Sequence, residues 1–309
     1  MNNRHAYCII AHIDPTLLHV MVAMLDHPLN DIYIHIDKKV DIRPFLGVKT
    51  QWSQVFYLPE RISVEWGGIS QIEVELMIFE FAFSHGKYSF FHMMSGQDLP
   101  LQPQDYIHRF FDEKYKGFEF VTINPLQDEE DIDYKTRYYH FFVKKLSDTQ
   151  HSFSHYLYYY LHSACIKIQQ LIGIRRKYPL VLKKSMHFVS VTSEFVSYLL
   201  SKKCFIQKTF AYTLCGDEIF LQSILWNSHF RERLYPTRVG YPGALRKVLW
   251  ENHKARIWQE SDFENLISSP ELFALKFTSD DKGLLLKMAA HNGCIDSVRH
   301  ILEENCNQL

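Results

Sequence analysis

The chain has 309 residues, 47% of them hydrophobic, which is enough to bury a substantial core in one large domain or two small ones. Its net charge of -1 and pI near 7.0 create no global field toward nucleic acid or anionic lipid, so any phosphate must be held by a few placed cations. The six cysteines (Cys8, Cys165, Cys204, Cys215, Cys294 and Cys306) include no CxxC pair. None of the seventeen histidines forms an HxxxH or HxH pair beside a carboxylate on a convincing helix face, so neither disulfides nor a metal site is expected.

The N-terminal apolar stretch is broken by His12 and Asp14 and is too short for a signal segment or a membrane span, so the chain reads as cytoplasmic. Residues 6–12, AYCIIAH, form a continuous apolar run suited to a strand buried on both faces. A helical pattern follows from Pro15 to Leu25, and IYIHID at 32–37 gives a second strand. This βαβ order implies parallel strands with ligands beyond their carboxyl ends, where His12 and Asp37 share a rim.

A third strand is expected at 54–58 and a helix from about Ile69 to Phe83, introduced by the VEWGG loop. YSFFHMM at 88–94 reads as another buried strand whose exit, SGQDLPL, adds Asp98 to the same rim. A short helix at 106–111 and a strand at 118–123 come next. SHYLYYYLHSACIKIQQLIGIRRK then gives a helix with an aromatic face, read as core in preference to a sugar-stacking surface. HFVSVT at 187–192 is a strand, SEFVSYLLSK a helix, and CGDEIFLQSILWNS a helix opening at Asp217 and Glu218. The whole reads as an α/β fold: one domain over 1–288, then a helical tail at 289–309 with weak ankyrin-like character, read as packing on the domain.

Asp131 and Asp133 form a DxD, a pattern that can hold a divalent cation. Here it lies in QDEEDIDYK and reads as a solvated acidic loop. Taken alone, Glu218 would be a carboxylate favoured at a helix N-terminus by about 0.3–1 kcal/mol.

Six strings in order, HAYCIIAH, NDIYIHIDKK, ISVEWGGISQIEVELMIFEFAF, YSFFHMMSGQDLPL, CGDEIFLQSIL and LFALKF, resemble the core-2/I-branching N-acetylglucosaminyltransferase family, which includes peptide xylosyltransferases. The resemblance spans about residues 5 to 288. It implies a GT-A-type fold with a Rossmann-like mixed sheet, a UDP-sugar donor (GlcNAc first, xylose as the alternative), inversion at the anomeric carbon and independence from metal, with no further cofactor. By the same resemblance the CGDE glutamate, Glu218, is the catalytic base, and Lys276 of LFALKF neutralises the departing diphosphate. Arg256 is the better match to the second cation, with Lys254 as competitor. His12 and Asp37 would line the nucleoside pocket, Trp66 would lie near the uridine and Asp98 would face the sugars.

Unlike vertebrate members, this chain shows no apolar anchor and no paired cysteines, and it therefore looks like a bacterial relative. The expected acceptor is a surface-glycan intermediate, free or lipid-linked. A lipid-linked acceptor would bring the enzyme to the inner membrane face without inserting it. Where many relatives carry a GSQW-like stretch, this chain has KSMHFVSVT, which bears on donor or acceptor preference. Two other classes compete: a glycoside hydrolase using Glu218 and Asp98, and a non-catalytic scaffold with a transferase-like domain.

Overall fold

The computed structural model describes residues 3–123, 129–148, 153–236, 243–252 and 254–306. In chain order it contains β1 (His5–Ala11), α1 (Pro15–Leu25), β2 (Asn30–Ile36), β3 (Gln54–Tyr57), α2 (Ile69–His85), β4 (Phe90–Ser95), β5 (Asp98–Pro100) and α3 (Gln104–His108). A π-helical segment, Arg109–Lys114, continues α3. After it come α4 (Glu129–Arg137), α5 (Val143–Asp148), α6 (Phe153–Leu171), β6 (Ser190–Thr192), α7 (Ser193–Ser201), α8 (Lys203–Phe210) and α9 (Phe220–Trp226). The last elements are β7 (Arg246–Lys247), β8 (Trp250–Glu251), β9 (Lys254–Ala255), α10 (Phe263–Ile267), β10 (Phe273–Leu275), α11 (Lys282–His291) and α12 (Ile295–Cys306).

The main sheet runs β3-β2-β1-β4-β6, with β6 antiparallel to β4 and the other pairs parallel. The chain steps from β1 outward to β3 and then crosses to the other side of β1 for β4. That reversal opens a crevice beyond the carboxyl ends of β1 and β4. Strand alternation divides the core into two layers. Tyr7, Ile9 and Ala11 of β1 face α1, α11 and α12, whereas Ala6 and Cys8 face α2, α7 and α9. Both faces are covered, which is why the first two strands read as unbroken apolar runs.

A second sheet, β5-β10-β7, carries the exit of β4 into the C-terminal third of the chain. Gly96 makes the turn into it, and a Cβ there would stand 2.6 Å from the Ala11 Cβ, so only glycine lets the two strand exits touch.

Several expectations need correction. The strand expected at 118–123 is reduced to isolated bridges, Glu119 with Leu234 and Phe120 with Ser190, and residues 124–128 lie outside the described set. The DxD aspartates sit on α4, not in a loop, because DIDYKTR places Lys135 and Arg137 one turn after Asp131 and Asp133. Nor is the aromatic face of α6 core. Tyr156, Tyr159 and Tyr160 are more than half exposed, because the helix packs through positions such as His162 and Ile166 instead. The C-terminal helices do pack on α1, with Val298 and Leu302 of α12 in its core layer.

Candidate active site

Three backbone bonds gather the rim. Asp37 N donates to Ala11 O (2.9 Å), Gly96 N to Ile10 O (2.9 Å), and Phe277 N to Gln97 O (3.0 Å). They bring His12 after β1, Asp37 after β2 and Lys276 after β10 to one edge of the crevice. Arg61 pins the loop after β2 by donating to the carbonyls of Ile36, Asp37 and Val40. The buried Asp37 carboxylate accepts from Lys39 N (2.9 Å), and Lys39 Nζ reaches Val64 O in the loop leading to Trp66. His12 has its pKa pushed below the ordinary 6.5, by desolvation first and by Lys276 and Lys39 after it, while Asp37 opposes. Among the described residues the Lys276 ammonium has no carboxylate partner within ion-pair distance.

Glu218 ends a short 3-10 turn, Gly216–Glu218, ahead of α9, so it sits one step earlier than a residue in the first turn of that helix. The turn is set by Cys215, whose backbone is left-handed (φ 48) and whose N–H donates to Gly67 O (2.9 Å). Gly67 is itself at φ 76 and packs against Leu214 and Cys215. The WGG loop and the CGDE turn are therefore one joined unit, with the 71% exposed Trp66 beside it.

Glu218 Oε2 lies 2.8 Å from Lys135 Nζ and 3.5 Å from Lys184 Nζ, and Asp131 pairs with both lysines. Burial pulls the Lys135 pKa down, but hydrogen bonding and charge from Glu218 outweigh it and hold the ammonium above its usual range. Beneath the turn, buried Asp217 accepts from Gln71 Nε2 (3.1 Å) and lies 3.4 Å from His187 Nδ1. Burial, with Glu218 adding, raises the Asp217 pKa, and buried Glu75 is raised well above the usual range by burial and then by Asp217. Glu218 and Asp131, their side chains 34% and 31% exposed, are thus the carboxylates of this cluster that reach solvent, whereas Asp217 and Glu75 are buried beneath them.

Two expected ligand residues have their charged groups engaged within the protein. Asp98 is 0% exposed, takes a hydrogen bond from Ser95 Oγ and lies under the rim near buried Arg246, so its carboxyl does not face the crevice. Pairing of β5 with β10 turns it inward. Arg256 sits close to Lys276 through the bond from Trp258 N to Lys276 O (2.9 Å), but its guanidinium is held by Asp262 (2.8 Å) and Glu251 (3.3 Å). Lys254 is exposed on β9.

Sequence reasoning missed Lys135, Lys184 and Arg246. Lys135 had a signal, four residues after Asp131. Lys184 and Arg246 had none, because only the fold brings them to Glu218 and Asp98.

No helix among the described residues is long and apolar enough to cross a membrane. No curated protein matches the chain. The model of the Core-2/I-Branching enzyme family matches residues 5–273, which run from β1 through the first residue of β10 and include every strand of the main sheet as well as the CGDE turn. With its mixed sheet flanked by helices, consistent with a GT-A-like fold, the chain belongs to the core-2/I-branching family of glycosyltransferases.

Proposed function

We propose that the protein is an inverting, metal-independent transferase that moves a sugar, GlcNAc first among candidates, from a UDP-sugar to a hydroxyl of a surface-glycan acceptor. The observation that carries this reading is the outward-facing Glu218 carboxylate, set on a turn joined to the Trp66 loop. In a single displacement, Glu218 removes the proton of the acceptor hydroxyl. The oxygen attacks the anomeric carbon from the face opposite UDP, and the bond to the diphosphate breaks as a β-linkage forms.

Lys276 is the cation available to the departing diphosphate, with Arg256 reaching it after leaving Asp262. His12, Asp37 and Trp66 would line the nucleoside end. Asp131 and Asp133 are occupied by Lys135, Lys184 and Arg137, which supports giving the DxD no metal-holding role. The hydrolase alternative would pair Glu218 with Asp98, whose burial weighs against it. The exposed tyrosines of α6 support contact with a lipid-linked acceptor at a membrane surface.

Thermal stabilisation by UDP, UDP-GlcNAc and UDP-xylose, with EDTA and with manganese, tests the reading. A UDP-selective rise in Tm that survives EDTA is expected, with the rank of the two sugars naming the donor. No rise with any nucleotide would overturn it.

A further inference from the structure

One side of α6 lies open to solvent. The helix is held from the other side: His162 Nδ1 lies 2.7 Å from Phe141 O, Ile166 is buried, and Gln169 donates to Tyr139 O (3.0 Å) and accepts from Tyr139 N (2.8 Å). Positions 162, 166 and 169 share one helical face, so residues on the opposite face point outward. They are Tyr156, Leu157, Tyr160, Leu161, Ile168 and Leu171, with Tyr160 68% and Leu171 86% exposed. Gly173, at φ 71, ends the helix, and Ile172 and Ile174 beside it add exposed apolar surface at its tip. A contiguous apolar face of this kind marks a contact surface.

The charge around this face has one sign. Between Asp148 and Glu194 the sequence contains no acidic residue and six lysines or arginines. Three of those cations, Lys167 on the helix and Arg175 and Lys177 just after it, are exposed, and none has a carboxylate within ion-pair distance among the described residues. The whole chain carries only -1, so the excess is local.

Apolar side chains flanked by tyrosines and cations match the boundary layer of an anionic bilayer. Leucine and isoleucine enter the acyl edge, tyrosine rings sit at headgroup depth, and the cations meet lipid phosphates. A second copy of the chain fits badly, because a two-fold contact would set the patch against itself and bring Lys167, Arg175 and Lys177 toward their own kind. A glycan fits badly too. Leu157, Ile168 and Leu171 offer its hydroxyls no hydrogen bond.

We infer that α6 and the turn after it dock the protein on anionic membrane surfaces, lying in the interface without crossing it. The inference concerns the bilayer itself, not the acceptor, and stands whether or not the protein transfers a sugar. The docking element is tied to the proposed catalytic cluster, since Arg176 N donates to Arg137 O (2.8 Å) at the end of α4, the helix whose Lys135 holds Glu218.

Flotation of the wild-type chain with vesicles tests this, using phosphatidylcholine alone and an equal mixture with phosphatidylglycerol. Binding to the mixture is expected, with little to the neutral vesicles and a fall on raising salt. Tyr160→Asp combined with Leu171→Asp is expected to abolish flotation. Lys167→Gln, Arg175→Gln and Lys177→Gln together should weaken binding to the mixture about a hundred-fold, at roughly five-fold per cation. The substituted side chains are exposed, and the two variants are independent, so one that misfolds leaves the other to decide. The UDP-induced shift in Tm, read on the same samples, keeps a failure of the transferase reading separate. Wild-type protein that does not float with the mixture, or floats equally well with neutral vesicles, would overturn the proposal. So would undiminished flotation of either folded variant, or wild-type self-association without vesicles that the Tyr160→Asp, Leu171→Asp chain loses, which would make a second copy the occupant.

Discussion

Lys135 Nζ donates to Glu218 Oε2 across 2.8 Å, so the proposed base rests against a lysine that α4 supplies from the other side of the cluster. Lys184 reaches the same oxygen at 3.5 Å. An incoming hydroxyl meets a carboxylate whose orientation is already fixed, which lowers the cost of aligning it for proton transfer.

Glu218→Gln keeps size and hydrogen-bonding capacity but removes the basic oxygen. It is expected to lower kcat about a hundred- to ten-thousand-fold while leaving the UDP-induced rise in Tm in place. Steady-state assays alongside thermal shifts check both. Retention of wild-type kcat would mean that another group takes the proton.

Lys276 and Arg256 should separate in a UDP titration. Lys276 has no carboxylate partner among the described residues, whereas Arg256 must first leave Asp262 and Glu251. Lys276→Met is expected to weaken UDP binding by about 1.5–3 kcal/mol, roughly ten- to hundred-fold in Kd. Arg256→Met should weaken it less and also lower Tm, because Asp262 loses the partner that offsets its partial burial. Isothermal titration with UDP gives the order directly, and a larger loss at Arg256 would reverse the assignment.

The parts of the site that were readable in sequence are those fixed by local pattern. Apolar runs at β1 and β2 locate the strand exits, and hence His12 and Asp37, because strands buried on both faces need unbroken hydrophobicity. The exit of β4 locates Asp98 equally well, yet not its burial, which follows from β5 pairing with β10 about 175 residues later in the chain. For α6, the helix was legible and its exposure was not, since an aromatic stripe has the same period whether it meets a core or solvent.

Asp98 gives a pH signature. Burial raises its pKa to about 7, with Ser95 and then Arg246 pulling the other way. A carboxyl raised on folding is stabilising while protonated in both states. That contribution is complete below the ordinary value of 3.8 and is lost as pH rises through about 7. Glu119, raised to about 7 by burial against the opposing Thr192 bonds, acts in the same direction. Histidines depressed by burial, such as His35 at about 4, act oppositely, losing stability as pH falls below 6.5, so the wild-type curve mixes the two. The difference isolates Asp98: Tm of Asp98→Asn minus Tm of wild type should climb between pH 4 and about 7 and level off above it. A flat difference would show that Asp98 is ionised throughout.

The C-terminal helix offers a test of where the folded unit ends. Leu302 is 5% exposed and Val298 0%, both packed in the layer that α1 presents to α11 and α12, and Lys49 bridges to Glu304 on the outside at 3.1 Å. The outer pair is exposed and contributes little, so the apolar contacts decide whether α12 stays in place. Leu302→Ala removes buried methyl groups and opens a cavity against α1, at an expected cost of about 2–4 kcal/mol. Because α1 connects β1 to β2, loss of this cover should destabilise the strands that carry His12 and Asp37, and urea unfolding should shift as one transition. A separate early transition confined to the C-terminal helices, with the main unfolding unchanged, would make residues 289–309 an appendage instead of part of the core that supports the rim.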